Sequence, residues 1–328
     1  MNNILTASTA NGHEPAPLQT DDVTMPLPEH ITPVSARSLL TGLLGSLAET
    51  RKKNLAGEWT GGIRCGVPLI DNNLRGLRRR SVSYLLAPPN IGKSTLANQI
   101  AGMVAAYPAQ SVAALYLSYE NPPEDLLLKQ LARLSGWKQD DLLSGEVDPV
   151  DPHLAAGVAA LQRLPLYYLD GDPKVKYTDV LAAVETVKAD SGADDVFVVL
   201  DYLQYFAKCS TVKETRYEQI NEAVVCMREL AILTAAHVMV ISSQNRETNK
   251  QQNAESRSPK DTNNTPTIHG GTGSGDIEYD ADLILVLEVD GSFRTLTAAK
   301  TRYGGKNASL KMTFDEDRAT FAWQGQTK

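Results

Sequence analysis

The segment SVSYLLAPPNIGKSTLANQIA, residues 81–101, constrains the fold of this chain more than any other stretch. It begins with an apolar run typical of a buried strand, continues through a loop containing Pro and Gly, and then places Leu96, Ile100 and Val104 at helical spacing. A strand, a loop and a helix in this order form the context in which backbone N–H groups hold phosphate. We therefore expect a phosphate-binding loop at one edge of a sheet.

The loop matches the pattern G-x-x-x-x-G-K-[ST] except at its first position, where Ala87 replaces the usual glycine. In this pattern the lysine, here Lys93, reaches the β- and γ-phosphates, and the hydroxyl group of Ser94 binds Mg²⁺. The predicted cofactors are accordingly ATP and Mg²⁺. Ala87 leaves two interpretations open, a damaged site or a variant loop. The predicted nucleotide-binding residues are Ala87, Pro88, Pro89, Asn90, Ile91, Gly92, Lys93, Ser94 and Thr95.

The rest of the chain alternates strand and helix patterns, which is typical of an α/β fold with a mostly parallel sheet and helices on both faces. The further predicted strands are VAALYLS, VFVVLDY, VMVISSQ, LILVLE, RTLTAAK and SLKMTF. Helices are predicted near residues 124–136, 155–163, 178–190 and 217–236. The polar segment 245–275 is longer than the usual connection in a compact domain, which indicates a functional or disordered loop.

Composition excludes several classes of protein. No apolar run approaches the roughly 18 residues needed to span a bilayer, and no export signal is visible, so we expect a cytoplasmic protein without a membrane partner. The cysteines, Cys65, Cys209 and Cys226, lack the spacing of a disulfide framework or a zinc site. A net charge of −7 argues against binding nucleic acid through bulk electrostatics, so any DNA contact must be local.

Three regions are predicted along the chain of 328 residues. Residues 1–34 contain five prolines and neither Lys nor Arg, a composition typical of a disordered tail. The leucine spacing in residues 35–57 predicts a helix with one apolar stripe. This helix either folds back on its own domain or docks on a neighbouring subunit. Residues 58–328 are expected to form the ATPase domain. The leucines of the stripe are Leu40, Leu43, Leu44 and Leu47.

Two carboxylates follow strands that should end at the same edge of the parallel sheet. Asp201 ends VFVVLD, and the apolar run before it favours a role in holding Mg²⁺ over that of a simple turn residue. Glu120 follows LYLSY and is our candidate for orienting the attacking water, the alternative being an exposed acid at a strand end. Both assignments require the phosphate loop nearby.

Three further residues are predicted to take part in catalysis. Gln244 ends the strand VMVISS, and its amide can both donate and accept hydrogen bonds, so it could sense a γ-phosphate. Lys300 and Arg302 lie two positions apart on a predicted strand and hence on one face. They form either a solvated edge or a cationic finger that one subunit extends into the ATP site of its neighbour.

The set APPNIGKST, YLSYEN, VVLDYLQ, VISSQNR, GSGDIEYDADLILVLE and AAKTRYGG resembles the C-terminal RecA-type motor domain of DnaB-type replicative helicases. The resemblance covers roughly residues 36–323, and members of that family commonly have Ala-Arg-Pro before Gly-Lys-[ST], so Ala87 is read as a family feature. It implies a RecA-like P-loop NTPase core. By resemblance Glu120 is the catalytic carboxylate, Asp201 the Mg²⁺ acid and Gln244 the γ-phosphate sensor.

The resemblance also implies partners and assembly. Lys300 and Arg302 correspond to cations that act in trans, and the helix at residues 35–57 corresponds in position to the linker helix that grips the next subunit. A homo-oligomeric, hexameric ring acting on single-stranded DNA is therefore expected, with a loader or primase as a further possible partner. In place of the helical N-terminal collar that meets primase in the family, we expect the proline-bearing tail, which favours a reduced form specific to one replicon.

DNA contacts are predicted at local basic and glycine positions. Where the family often has Arg-Glu before SGDIEYDAD, this chain has Thr272 and Gly273, which weakens side-chain contact with phosphate and leaves backbone N–H groups as the alternative. For each basic residue a solvated loop charge is an equally good interpretation. The predicted DNA-binding residues are Lys208, Lys213, Arg216, Arg246, Lys250, Gly273 and Gly275.

The function expected first is a ring-forming, ATP-dependent DNA helicase for replication of a plasmid, phage or other mobile element. A RecA-type ATPase of recombination or repair is the second hypothesis, and a regulatory P-loop ATPase acting on a protein partner is the third. Stimulation of ATPase activity by single-stranded DNA separates the third from the first two. Strand displacement from a forked duplex separates the first from the second.

Overall fold

The computed structural model describes residues 34–210, 213–243, 274–305 and 307–323. The chain divides into two compact units, Met1–Thr60 and Gly61–Lys328. In the first unit, helix α1 (Ala36–Leu55) begins where the Ser35 side chain accepts a hydrogen bond from the N–H of Ser38 at 3.2 Å. Every residue of α1 is exposed, including the four leucines of its apolar stripe. Among the described helices, none is long and apolar enough to cross a lipid bilayer.

The second unit is built on one nine-stranded sheet with the strand order β3-β2-β4-β5-β1-β6-β7-β8-β9. The strands β1 to β6 pair in parallel, and β6 to β9 pair as antiparallel neighbours. The bounds are β1 (Ser81–Ala87), β2 (Val112–Ser118), β3 (Leu166–Asp170), β4 (Asp195–Asp201), β5 (His237–Ser243), β6 (Leu283–Asp290), β7 (Phe293–Thr301), β8 (Ser309–Asp315) and β9 (Thr320–Trp323).

Helices connect the parallel strands and cover both faces of the sheet, and a short π-helical turn (Leu69–Asn73) precedes β1. The described helices after α1 are α2 (Lys93–Ala106), α3 (Pro123–Ser135), α4 (Gln139–Ser144), α5 (Pro152–Leu161), α6 (Tyr177–Ser191), α7 (Leu203–Ser210), α8 (Arg216–Thr234) and α9 (Ser274–Asp280). Helix α2 packs on one face of the sheet, together with buried side chains of β8 and β9. Helices α6 and α8 pack on the other face.

The central strands form because their sequences are almost continuously apolar, as a sheet buried on both faces requires. Every residue of β1, β2 and β4 is buried. Leu96, Ile100 and Val104, the apolar stripe predicted after the loop, are fully buried in α2. The α/β class, the mostly parallel sheet and each of the seven predicted strands are therefore confirmed.

The sequence patterns missed two strands and shifted helix ends by a few residues. Strand β3 is short and only half-buried at the edge of the sheet, and β9 has four residues, so neither gives a clear apolar period. The helices α4, α7 and α9 were also not predicted, since each has fewer than nine residues.

The topology fixes two opposite edges of the sheet. The strands β2, β4, β5 and β1 end at a common carboxyl edge, where Ser118 lies opposite Asp201 and Ala87 lies opposite Ser243. At the amino edge, Leu283 of β6 lies opposite both Ser83 of β1 and Thr301 of the antiparallel β7. Residues that end β1 and residues that end β7 therefore lie at opposite ends of the strands.

Candidate functional site

The loop between β1 and α2 has the backbone that its glycine permits. Gly92 has φ of 97°, and a Cβ atom there would lie 2.8 Å from Cζ of Phe321 and 3.1 Å from Phe314. A side chain is therefore excluded both by conformation and by space. Ala87, in contrast, is a fully buried strand residue opposite Ser243, so its methyl group packs in the sheet before the loop begins. The missing first glycine does not disrupt the loop.

Lys93, the first residue of α2, folds back across this loop and donates a hydrogen bond from Nζ to the carbonyl oxygen of Pro88 at 2.8 Å. Partial burial lowers the pKa of Lys93, and the nearby carboxylates Glu120 and Asp201 oppose that change. The ammonium group therefore sits at the mouth of the loop, in a place where a phosphate oxygen could take over from the Pro88 carbonyl.

Asp201 ends β4 as a fully buried carboxylate. Its Oδ2 accepts a hydrogen bond from the hydroxyl group of Tyr116 at 2.7 Å, whereas its buried Oδ1 has no hydrogen-bond partner in the described parts of the chain. Burial raises the pKa of Asp201, and the hydroxyl groups of Tyr116 and Ser94 oppose the rise. A buried carboxylate oxygen left without a partner is costly unless a ligand satisfies it, which fits a cation site beside Ser94.

Glu120 lies at the same edge but in a different environment. It follows β2 by two residues and is exposed, and the N–H of the intervening Tyr119 donates to the carbonyl oxygen of Asp201 at 2.6 Å. This hydrogen bond ties the end of β2 to the end of β4, so the two acids stay neighbours. The structure therefore brings together the loop, Lys93, Asp201 and Glu120, which the sequence predicted to act as one site.

A cleft of about 540 Å³ is lined by the phosphate loop, Lys93 and Glu120, and by Tyr202, the residue that follows the buried Asp201. It includes loop and acid residues together with side chains from α3, α4 and the β8–β9 hairpin. Phe314 supplies an aromatic wall, and its ring stacks on Phe321 with centroids 4.3 Å apart. The lining residues that were not predicted as site residues are Asn121, Lys129, Gln139, Tyr202, Ile241, Ser243, Phe314, Glu316 and Ala319. Tyr116, Asn121 and Tyr202 lie in the motifs YLSYEN and VVLDYLQ beside the two acids. Lys129, Gln139 and the residues of the β8–β9 hairpin come from distant segments that no local motif marks.

Gln244 lies outside the described residues, as do Arg246, Lys250 and Gly273. The residue before Gln244, Ser243, ends β5 and lines the cleft. Of the other predicted DNA-binding residues, Lys208, Lys213 and Arg216 are exposed around the connection from α7 to α8, and Gly275 is exposed in α9. Their roles stay predictions.

Lys300 and Arg302 lie at the amino edge of the sheet, away from the cleft. Lys300 is in β7 and donates to the carbonyl oxygen of Glu278, while Arg302 follows the strand and donates to the carbonyl oxygen of Tyr279 at 2.9 Å. Through Asp282, Arg302 is level with Val82, five residues or roughly 16 Å along β1 from Ala87, and Lys300 is level with Tyr84, three residues or roughly 10 Å from Ala87. Both side chains are held by carbonyl oxygens of α9, and neither lines the cleft.

Comparison with known proteins identifies the family. The model of the DnaB-like helicase C-terminal domain matches residues 62–322. The chain belongs to this family. The replicative DNA helicase DnaB of Geobacillus stearothermophilus is 27% identical over 238 residues, which are 72% of this chain and 49% of that protein. A probable plasmid replicative DNA helicase of Chlamydia muridarum is 25% identical over 286 residues, 85% of this chain and 60% of that protein.

Solved structures agree with the family assignment at the level of the fold. One of them, described as an ATPase domain, superposes with a TM-score of 0.74 at 17% identity, covering 89% of this chain and 99% of that domain. A DnaB-like replicative helicase, described with its interactions with primase, gives a TM-score of 0.71 at 16% identity and covers 89% of this chain and 67% of that one. The fold is thus the RecA-like ATPase fold of DnaB-like helicases. The chain spans about half the length of the DnaB relatives it matches.

Proposed function

We propose that this chain is the motor of a ring-forming DNA helicase, which hydrolyses ATP while moving on single-stranded DNA. Family membership and the cleft at the carboxyl edge support an ATPase, and the similarity to a plasmid replicative helicase supports replication of a plasmid, phage or other mobile element in the cytoplasm. Single-stranded DNA, other copies of the chain in a hexameric ring and a loader or primase are its proposed partners.

The phosphates are held by the loop and by Lys93, whose Nζ exchanges the Pro88 carbonyl for a phosphate oxygen. Ser94 and Asp201 would hold Mg²⁺, and the buried Oδ1 of Asp201 fits this role because it has no other partner in the described parts of the chain. Bound there, Mg²⁺ neutralises charge that develops on the β- and γ-phosphates. The nine loop residues from Ala87 to Thr95 then serve as the nucleotide-binding segment.

Glu120 acts on water because it is an exposed carboxylate at the rim of the cleft. The water oxygen attacks the γ-phosphorus atom, its proton passes to Glu120, and the bond to the oxygen bridging the β- and γ-phosphates breaks, which leaves ADP and phosphate. Gln244 follows the cleft residue Ser243, and in this scheme it senses whether the γ-phosphate is present.

The observation that carries the ring mechanism is the position of Lys300 and Arg302. Because they lie at the opposite edge of the sheet from Lys93, they can complete an ATP site only in another copy of the chain. Cations of this kind are worth about 10³–10⁵ in rate in other phosphoryl-transfer enzymes. In this scheme α1 forms the contact between subunits, and its exposed leucines are available for that contact.

Mixing two inactive variants tests the shared site. Arg302→Ala subunits should bind ATP yet fail to hydrolyse it, and Lys93→Ala subunits should fail to hold the phosphates. A mixture creates interfaces with Lys93 on one side and Arg302 on the other, so a fraction of wild-type hydrolysis should return. Full activity of Arg302→Ala alone, or no recovery in mixtures that form rings, would contradict the mechanism. Strand displacement from a forked duplex then distinguishes a helicase from a recombination ATPase.

A further inference from the structure

Asp282 is the acidic residue on which the cluster at the amino edge converges. It lies just before β6, its side chain is only 5% exposed, and its main chain pairs with Val82 at the start of β1 through a hydrogen bond of 3.0 Å. The Oδ2 atom accepts from the N–H of Val82 at 2.9 Å. The carboxylate is therefore fixed to the central strand of the sheet, on a rigid support.

Two arginines approach this one carboxylate from different sides. Arg228 of α8 contacts Oδ2 at 2.5 Å, and Arg302 contacts Oδ1 at 3.1 Å. Their exposure differs, because the Arg228 side chain is 20% exposed and that of Arg302 is 47% exposed. The inner arginine neutralises and orients the acid, and the outer arginine reaches solvent.

Arg302 is held at three further points besides the carboxylate. Its backbone N–H donates to the carbonyl oxygen of Asp282 at 3.0 Å, and its guanidinium donates to the carbonyl oxygens of Tyr279 at 2.9 Å and Asp280 at 3.4 Å. A guanidinium carries five N–H donors, and these contacts occupy only part of them. The group is thus oriented by its own subunit while it keeps donors for another ligand.

We infer that Asp282 is a positioning residue, which holds the guanidinium of Arg302 in the orientation needed to meet phosphate in the neighbouring subunit. This inference rests on the proposed trans role of Arg302. Oriented donors lower the cost of organising charge at the moment of reaction. Residues that orient metal ligands commonly change activity about 10- to 100-fold when replaced, and we expect an effect of that size for Asp282. Arg228, through its ion pair with Oδ2, keeps the Asp282 carboxylate in place.

The Asp282→Asn variant removes the charge and keeps the size of the side chain. The expected result is a fall in kcat of about 10- to 100-fold with unchanged affinity for a non-hydrolysable ATP analogue, because the nucleotide cleft lies at the other edge of the sheet. Asp290→Asn is the matched control, since Asp290 ends the same strand β6 and its carboxylate forms an ion pair with Lys311 at 2.9 Å, away from Arg228 and Arg302. This control should keep wild-type kcat. An equal loss in both variants would overturn the inference.

A double-mutant cycle shows whether Asp282 acts through Arg302. Asp282→Asn should lower the residual activity of Arg302→Ala no further, whereas independent effects would multiply. In mixtures, Asp282→Asn subunits should recover hydrolysis with Lys93→Ala subunits. The Asp282→Asn subunits keep an intact phosphate loop and lack only a correctly oriented Arg302 for the neighbouring site. A multiplicative effect, or no recovery in rings that form, would overturn the inference.

The two hypotheses fail in different ways. Full activity of Arg302→Ala refutes the trans cation itself, whereas an inactive Arg302→Ala beside a fully active Asp282→Asn refutes only the positioning role. If Asp282→Asn does not fold, Asp282→Glu keeps the charge but displaces the carboxylate, and it should show the same loss in kcat alone. Unfolding of both variants would assign Asp282 to the stability of the sheet and overturn the inference.

Discussion

Asp201 and Glu120 end neighbouring strands, yet the two carboxylates meet different surroundings. Asp201 is fully buried and fixed by the Tyr116 hydroxyl, which suits an acid that must hold one position beside a cation. Glu120 is exposed at the rim of the cleft, where water has access and where a proton taken from water can leave again. Environment rather than residue type therefore separates the two proposed roles.

The Glu120→Gln substitution should slow ATP hydrolysis by about 10²–10⁴-fold while nucleotide affinity stays unchanged, since the amide keeps the shape but cannot accept the proton. Single-turnover hydrolysis and binding of a fluorescent ATP analogue measure the two effects separately. Glu124→Gln is the matched control, because Glu124 is an exposed acid four residues further on that does not line the cleft. Normal turnover by Glu120→Gln would move the catalytic role to another acid, such as Asp201 or the cleft residue Glu316.

At the scale of elements, His237 joins the amino ends of β5 and β1. Its Nδ1 contacts the carbonyl oxygen of Arg78 at 2.8 Å, and its Nε2 contacts the hydroxyl group of Ser83 at 2.9 Å. The Ser81 hydroxyl also lies 2.9 Å from Nδ1 and donates to the same Arg78 carbonyl, so a proton on Nδ1 and an accepting Nε2 satisfy the neutral ring and its neighbours. Burial lowers the pKa of His237 from 6.5 to about 4, opposed by the Arg78 carbonyl and by Asp282.

This pKa shift predicts an acid-sensitive contribution to stability. Because the folded state holds His237 neutral, its contribution is fully present above pH 6.5 and is lost as the pH falls towards 4, about 3 kcal/mol in total. The difference in unfolding free energy between wild type and His237→Gln should therefore shrink over that window in urea titrations. His153→Gln, at an exposed position of α5, serves as the control. A difference that stays constant with pH would contradict the prediction.

The elements also show what could be predicted from sequence. The strand, loop and helix around Lys93 are local in sequence, and long apolar runs identified the central strands, so the fold class and the two acids could be named. The contact of Tyr116 with Asp201 depends on the pairing of β2 with β4, and the contact of Gly92 with Phe321 joins residues far apart in the chain. Such contacts have no local period, which is why the aromatic wall and the Asp282 cluster were not predicted.

At the scale of the whole molecule, the proposed shared site and the exposed helix both favour assembly of several copies of the chain. Lys93 and Arg302 lie at opposite edges of one sheet, so hydrolysis in our scheme requires an interface. Between residues 39 and 47 of α1, five leucines expose more than half of their surface, and an apolar stripe of this kind is stabilised by burial against another surface. The leucines are Leu39, Leu40, Leu43, Leu44 and Leu47.

Nested truncations should separate the tail from α1. Removal of residues 1–34 should leave ATPase activity unchanged, whereas removal of residues 1–54 should weaken assembly and make activity depend steeply on protein concentration, because association follows mass action. The double substitution Leu40→Ser and Leu44→Ser should act like the longer truncation. Sedimentation and ATPase assays across a concentration series measure both effects. If the longer truncation keeps concentration-independent activity, α1 does not hold subunits together, and the shared site must be maintained by contacts within residues 61–328 alone.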